Sequence, residues 1–292
     1  MSLQESSVPE TQVLLADLVV GESPRWHENR LWFCHWREHE VIAVDVDGNS
    51  EVVTRDPASS PHSIEWLPDG RQLIVPGSAE SKGLLLRREP DGSLVTHADL
   101  RCLSDGWNEI VVDGHGNIYL DEVGFDFMGF LEGKAEFAPG IIALVAPDGS
   151  VRQVADGIEF PNGMVVTPDN STLIVSESFA GRLTAFDIAA DGSLSNRRVF
   201  AENLSPDGIC IDAEGAVWTS ATGKDCVRVR EGGEVLDRIE LDRSPFACML
   251  GGADRKTLFI MAAEWNSENP FGGPRTGQVQ TFPAPAPGVG WP

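Results

Sequence analysis

Phe160-Pro161-Asn162-Gly163-Met164-Val165-Val166-Thr167-Pro168-Asp169-Asn170-Ser171-Thr172-Leu173-Ile174-Val175 sets a polar residue at the head of a short apolar strand, then a turn, then a second apolar strand. Asn-Gly and Pro-Asp supply turn chemistry, while Met-Val-Val and Leu-Ile-Val suit the pleated surface of a sheet. A third alternating strand, Leu183-Thr184-Ala185-Phe186-Asp187-Ile188, follows Gly181-Arg182 and closes at Asp191-Gly192. The pattern then begins again.

With Asn162 as the zero position, the turn falls on the fifth to eighth residues beyond it. In the same register Glu22 precedes a turn at 27–30, His62 one at 67–70 and Asn108 one at 113–116. Asp207 precedes 212–215 and Ala247 precedes 252–255. Successive zero positions stand 40, 46, 54, 45 and 40 residues apart. Strand-only units at this period predict an all-β fold, a six-bladed β-propeller with four antiparallel strands per blade in a single domain over 1–292. The last unit supplies three strands, near 248–250, 258–261 and 278–282, before Pro283, Pro285 and Pro287 end the pattern. Gln12–Leu18 reads as a strand outside any complete unit. It is expected to be the N-terminal strand that completes the last blade and closes the ring, and residues 1–10 are expected to be poorly ordered.

Composition narrows the partners. The chain has 22 Lys and Arg against 45 Asp and Glu, a formal net charge of −23, which repels nucleic acid and anionic membrane surfaces. Five cysteines, Cys34, Cys102, Cys210, Cys226 and Cys248, are scattered without a CxxC pair and point to reduced thiols in a cytoplasmic protein. No stretch has the length and hydropathy of a membrane span or a secretory signal. Oligomeric state is not legible, because a closed ring has no sheet edge that demands a partner.

The first strand of each blade lines the central channel of a propeller. Residues at one phase of that strand therefore form a ring at one mouth, here Glu22, His62, Asn108, Asn162, Asp207 and Ala247. Singly, each is an ordinary solvated or turn residue. Together, two carboxylates and two amides make an oxygen-rich site suited to one divalent cation, with Glu22, Asn162 and Asp207 as the metal candidates. Three protein ligands leave positions for water and substrate; a structural calcium plug is the plainer reading. His62 is a candidate substrate-binding or proton-carrying residue, whereas His27, His35, His39, His97 and His115 fall in or beside turns and are read as surface residues. No G-x-S-x-G elbow, H-E-x-x-H helix or P-loop occurs, which disfavours a serine nucleophile.

Two long loops are expected to overhang the same mouth. One covers 124–140 with Phe125, Phe127, Phe130 and Phe137, the other 263–276 with Trp265 and Phe271. The short segment His35-Trp36-Arg37-Glu38-His39 offers hydrogen-bond donors and an aromatic face for a polyhydroxylated ligand.

Three motifs carry a resemblance. Gly21-Glu22-Ser23-Pro24-Arg25-Trp26, Pro161-Asn162-Gly163-Met164 and Ser205-Pro206-Asp207-Gly208-Ile209-Cys210-Ile211-Asp212-Ala213-Glu214-Gly215 resemble the gluconolactonase and regucalcin (senescence marker protein) family over roughly residues 13–280. The resemblance implies a six-bladed propeller in which Glu22, Asn162 and Asp207 bind one divalent metal. It implies a carboxylic-ester hydrolase that opens a sugar lactone (an aldonolactone), with the metal polarising the lactone carbonyl and Asp207 also assisting proton transfer as the catalytic residue. Asn108 matches the family's substrate-contacting asparagine. Glu109 stands where many members carry aspartate, and both are expected to contact substrate together with His62. The arginine that some members place two residues before that asparagine is Gly106 here, so the substrate of those members does not carry over.

Calcium is the first expectation for the metal, with zinc, manganese, magnesium and ferrous iron accepting the same oxygen ligands. The other readings are a non-catalytic calcium- or small-ligand-binding propeller, a carbon–carbon condensing enzyme on a similar ring, and a protein-interaction propeller.

Overall fold

The structure, a computed structural model, describes residues 10–265 and 274–289. These residues form six four-stranded antiparallel sheets arranged as the blades of a propeller, as the repeat predicted. β1 (Gln12–Leu18) comes first in the chain but belongs to the last blade. Blade one holds β2 (Gly21–His27), β3 (Arg30–His35), β4 (Glu40–Val44) and β5 (Ser50–Arg55). Blade two holds β6 (Pro61–Trp66), β7 (Gln72–Pro76), β8 (Leu84–Arg88) and β9 (Leu94–Asp99). Blade three holds β10 (Trp107–Val112), β11 (Ile118–Glu122), β12 (Gly140–Val145) and β13 (Val151–Ile158), and its long loop carries α1 (Phe127–Leu131).

Blade four holds β14 (Pro161–Val166), β15 (Thr172–Glu177), β16 (Arg182–Ile188) and β17 (Leu194–Glu202). Blade five holds β18 (Cys210–Ile211), β19 (Val217–Ser220), β20 (Asp225–Val229) and β21 (Val235–Glu240). Blade six holds β22 (Ser244–Gly251), β23 (Thr257–Ala263) and β24 (Gly277–Pro283), and β1 pairs antiparallel with β24 as its outer strand. Residues 1–9, within the stretch expected to be poorly ordered, and Phe271 lie outside the described residues.

The core is a set of inter-blade layers. Between blades two and three, Leu73, Leu85, Ile110, Leu120 and Ala143 pack into one buried cluster, and similar clusters join the other neighbours. The turns work as local chemistry dictates: Asp212 Oδ1 accepts the amides of Glu214 and Ala216 at 2.9 and 3.0 Å, and Gly215 follows at φ 76°. Cys210 and Cys248, distant in sequence, bring their Sγ atoms within 3.7 Å in the layer between blades five and six.

Candidate metal centre and its cavity

Five of the six first strands are irregular at the same point. The pairing register slips between Glu22 and Arg25, across His62, after Trp107, between Pro161 and Met164, and between Pro245 and Ala247. An extra residue at that point bends the strand end and re-aims its side chain. Four of these five zero positions, Glu22, His62, Asn108 and Asn162, thereby turn toward the cavity, and Ala247 does not. Glu22, His62, Asn108, Asn162 and Asp207 all line one cavity of about 780 Å³.

Blade five solves the same problem differently. Its first strand is only Cys210–Ile211, so Asp207 lies in irregular chain ahead of it. That chain is held by serines: Ser176 Oγ donates to the Asp207 carbonyl at 2.7 Å, Ser178 to Pro206 at 2.7 Å and Ser220 to Ser205 at 2.6 Å. The Gly208 amide adds a bond to the Phe246 carbonyl at 2.8 Å. Glycine is required at two of these positions by close approach. A Cβ on Gly163 would meet the Asp207 carbonyl oxygen at 2.6 Å, and one on Gly208 would meet Ala247 Cβ at 2.4 Å. Ala247 is thus a packing surface for Gly208, 2 % exposed and absent from the cavity lining, which corrects its place in the expected ring.

The two carboxylates are electrostatically strained. Burial first, then the charges of Asp207 and Glu109, raise the Glu22 carboxyl well above its ordinary range. Burial and Glu109 push Asp207 up to about 7, opposed by the Gly208 amide and a hydrogen bond with the Asn162 side chain. No arginine or lysine forms an ion pair with either carboxylate among the described residues. No cluster of three His, Cys, Asp or Glu side chains assembles there either, so a cation here would be held by two carboxylates and an amide oxygen. Oxygen donors with surplus negative charge fit a hard divalent ion.

Glu109 departs from expectation. Alternation along β10 turns Asn108 to the cavity and Glu109 away from it. The buried Glu109 carboxylate meets Arg25, with Oε2 3.3 Å from Nη2, and does not line the cavity. Arg25 Nε also bonds Glu65 at 2.6 Å, and Nη2 donates to the Ile110 carbonyl at 2.6 Å, so one guanidinium ties blades one, two and three together below the candidate centre. His35 is also corrected. It is 1 % exposed, accepts the Val19 amide on Nε2 at 3.0 Å and faces Glu40 at 3.1 Å through Nδ1, a buried structural residue. His27 is partly buried and stacks on Trp66 at 4.2 Å.

Several lining residues were not foreseen. Glu122 ends β11 opposite Trp107, accepts the Gly124 amide at 3.0 Å and is raised by burial. Its signal was present, since the last residue of a second strand pairs with the residue ahead of the zero position. Ser178, Ser220, Phe160, Phe179 and Phe246 line the cavity as well. Gly106 lies beside Glu122, where a Cβ would have ordinary clearance of 3.5 Å. The 124–140 loop does reach the cavity, through Gly124, Phe125, Asp126, Phe127 and Met128, and so does Trp265. Trp36 stacks on His62 at 4.2 Å and its indole donates to the His62 carbonyl at 2.7 Å.

Known proteins share this architecture. The chain is 30 % identical to regucalcin of Oryctolagus cuniculus over 283 residues, covering 88 % of each chain. It is 24 % identical to a pentonolactonase of Haloferax volcanii, covering 90 % of this chain and 88 % of the other. A solved structure described as a calcium-binding protein, regucalcin, from Agrobacterium tumefaciens superposes with a TM-score of 0.77 at 21 % identity, covering 97 % of each chain. The sequence profile described as the SMP-30/Gluconolactonase/LRE-like region matches residues 20–264, and the chain belongs to that family.

Proposed function

We propose that this protein is a divalent-metal-dependent carboxylic-ester hydrolase, a lactonase that opens a ring ester to the hydroxy acid. The observation that carries the reading is the convergence of Glu22, Asn162 and Asp207, from three blades, on one cavity, with neither carboxylate in an ion pair among the described residues. Held by these three residues, a divalent cation supplies Lewis acidity at the carbonyl oxygen and eases ionisation of water. The residues do the rest. Asp207, less buried than Glu22, accepts the proton of the attacking water and returns one to the leaving oxygen. The water oxygen bonds to the acyl carbon as the ring C–O bond breaks. Asn108 and His62 face the same space and orient the ligand.

Calcium is the metal proposed first, supported by the relative described as calcium-binding. Aldonolactones are the first substrates to try, supported by the relative named a pentonolactonase, and the cytoplasm is the location proposed from the cysteine pattern. The test is pH-stat hydrolysis of glucono-, galactono- and xylono-lactones by metal-stripped protein, before and after adding calcium, zinc, manganese, magnesium or ferrous iron. Metal-restored turnover that Asp207→Ala loses is the expected result. Stoichiometric metal binding with no turnover of any lactone or ester would instead favour a second reading, a metal-binding propeller, which the regucalcin relatives also suit.

A further inference from the structure

One wall of the cavity is built from phenylalanine. Phe125 stands at its centre, with ring centroids 5.4 Å from Phe130 and Phe137, 5.6 Å from Phe179 and 5.7 Å from Phe160. Phe160 and Phe179 stack at 4.8 Å with 12° between their planes, and Phe127 lies 5.0 Å from Phe160. The rings come from the blade-three loop and from the two ends of the blade-four strand pair β14–β15. Across the cavity, Phe246 of blade six lies 5.7 Å from Trp265, and both line the space.

This wall is open. Two residues that line the cavity, Phe179 at 41 % and Met128 at 40 %, are exposed, so this side of the cavity reaches solvent. Contiguous apolar surface beside a convergent polar site marks the part of a pocket that takes an apolar ligand group. Phenylalanine has neither O–H nor N–H. A sugar hydroxyl pressed against it would lose its water and gain no partner. Among the polar side chains that line the cavity, Ser178 and Ser220 donate to backbone carbonyls, Asp126 accepts the Gly129 amide at 3.0 Å as the cap of α1, and Lys82 pairs with Asp105 at 3.8 Å. Gly106 adds no polar group.

We propose that the substrate is a lactone or ester bearing an apolar or aromatic substituent, which seats against Phe125, Phe127, Phe160 and Phe179 while its carbonyl faces Glu22, Asn162 and Asp207. The proposal rests on the lactonase reading and replaces the bare aldonolactone as the substrate class. The reaction is the same hydrolysis. Water oxygen joins the acyl carbon, the acyl C–O single bond breaks, and a water proton passes to the leaving oxygen, giving a hydroxy acid or, from an open ester, an acid and an alcohol.

The test is kcat/KM of the metal-loaded protein for γ-butyrolactone, γ-hexalactone, γ-nonalactone and dihydrocoumarin beside glucono-δ-lactone. Each added methylene is expected to raise kcat/KM about fourfold until the wall is covered, the factor for burying one CH₂. The substituted lactones are expected to exceed gluconolactone. Phe179→Gln, at a position 41 % exposed, is expected to flatten that slope. In parallel, calorimetry measures binding of the matching alkyl lactams, which resist hydrolysis. A flat lactone series, or gluconolactone preferred over every substituted lactone, overturns the proposal and leaves the lactonase reading standing. Lactam affinity that climbs with chain length and is lost in Phe179→Gln, with no lactone hydrolysed, supports the apolar subsite and removes the hydrolase. Flat lactam affinity with no hydrolysis overturns both.

Discussion

His62 Nε2 lies 3.1 Å from Asn108 Oδ1, joining blades two and three across the cavity. Asn108 uses its amide nitrogen toward the Pro161 carbonyl at 3.4 Å, which leaves its oxygen to accept and puts the imidazole proton on Nε2. Burial lowers the His62 pKa, so the ring is neutral in neutral solution. His62→Gln is therefore expected to keep the donor and most activity, with a pH profile that overlays the wild type between about pH 7 and 8. His62→Leu is expected to lower kcat/KM by roughly 10- to 100-fold through misplaced Asn108. A wild-type rate in the leucine variant would remove His62 from the site.

Removing one carboxylate from the candidate centre is expected to stabilise the metal-free protein while disabling it. Asp207 has a folded pKa raised from 3.8 to about 7, so in metal-free protein its contribution is fully present below 3.8 and is lost as pH rises toward 7. Asp207→Asn avoids that loss. At pH 8 without metal, its melting temperature is expected to exceed the wild type by about 2–3 °C, the shift for roughly 1–2 kcal/mol in a chain of this length. Saturating calcium or manganese is expected to raise the wild-type melting temperature and leave the variant unmoved. Equal metal-induced shifts in both proteins would place the cation elsewhere.

Arg25 holds two buried acids at once, Glu65 at 2.6 Å and Glu109 at 3.3 Å. Burial and the Glu109 charge together push Glu65 up to about 7 even with Arg25 beside it, so losing the guanidinium leaves both acids without their cation. Arg25→Met is expected to cost roughly 3–5 kcal/mol in urea unfolding. Adding Glu65→Gln to that variant is expected to recover part of the loss. An additive or larger loss in the double variant would contradict the pairing.

Glu177 is completely buried at the end of β15, where burial alone would raise its pKa. Hydrogen bonds from Arg182, the Glu159 amide, Thr184 and Arg197 overcome that and hold it at about 2. The folded pKa lies below the unfolded value of 4.5, so the stabilisation is present above 4.5 and lost as pH falls toward 2. Glu177→Gln is expected to be less stable by about 3 kcal/mol at pH 7, with the gap closing across that acid window. Urea midpoints of both proteins from neutral pH downward measure it; a pH-independent gap would show a packing effect instead.

The parts legible in the sequence were those written in local chemistry. Turn residues such as Asp212 and Gly215 fixed the register, and the register aligned Glu22, His62, Asn108, Asn162 and Asp207 at one cavity. Gln12–Leu18 was legible as the missing strand because it fitted no unit. What was lost depended on distance or alternation. Glu109 follows Asn108 in sequence, yet the pleat sends it to Arg25. His35 lies beside a turn, and its burial comes from Val19 and Glu40. Phe160 and Phe179 read as strand flanks until folding brings them against the blade-three loop.

The pairing of β1 with β24 also has a temporal meaning. As a nascent chain leaves the ribosome, Glu22, Asn162 and Asp207 are all present long before Gly277–Pro283 appears. Glu22 begins a blade that packs on blade six, and Gly208, next to Asp207, rests on Phe246 of that same blade. Both carboxylates therefore sit beside contacts to blade six, the blade that the β1–β24 pairing completes. Such long-range pairing is slow to form. A chain halted before its last strand would carry every candidate ligand and hold the cation weakly, so cation affinity measured against chain length would time the latch.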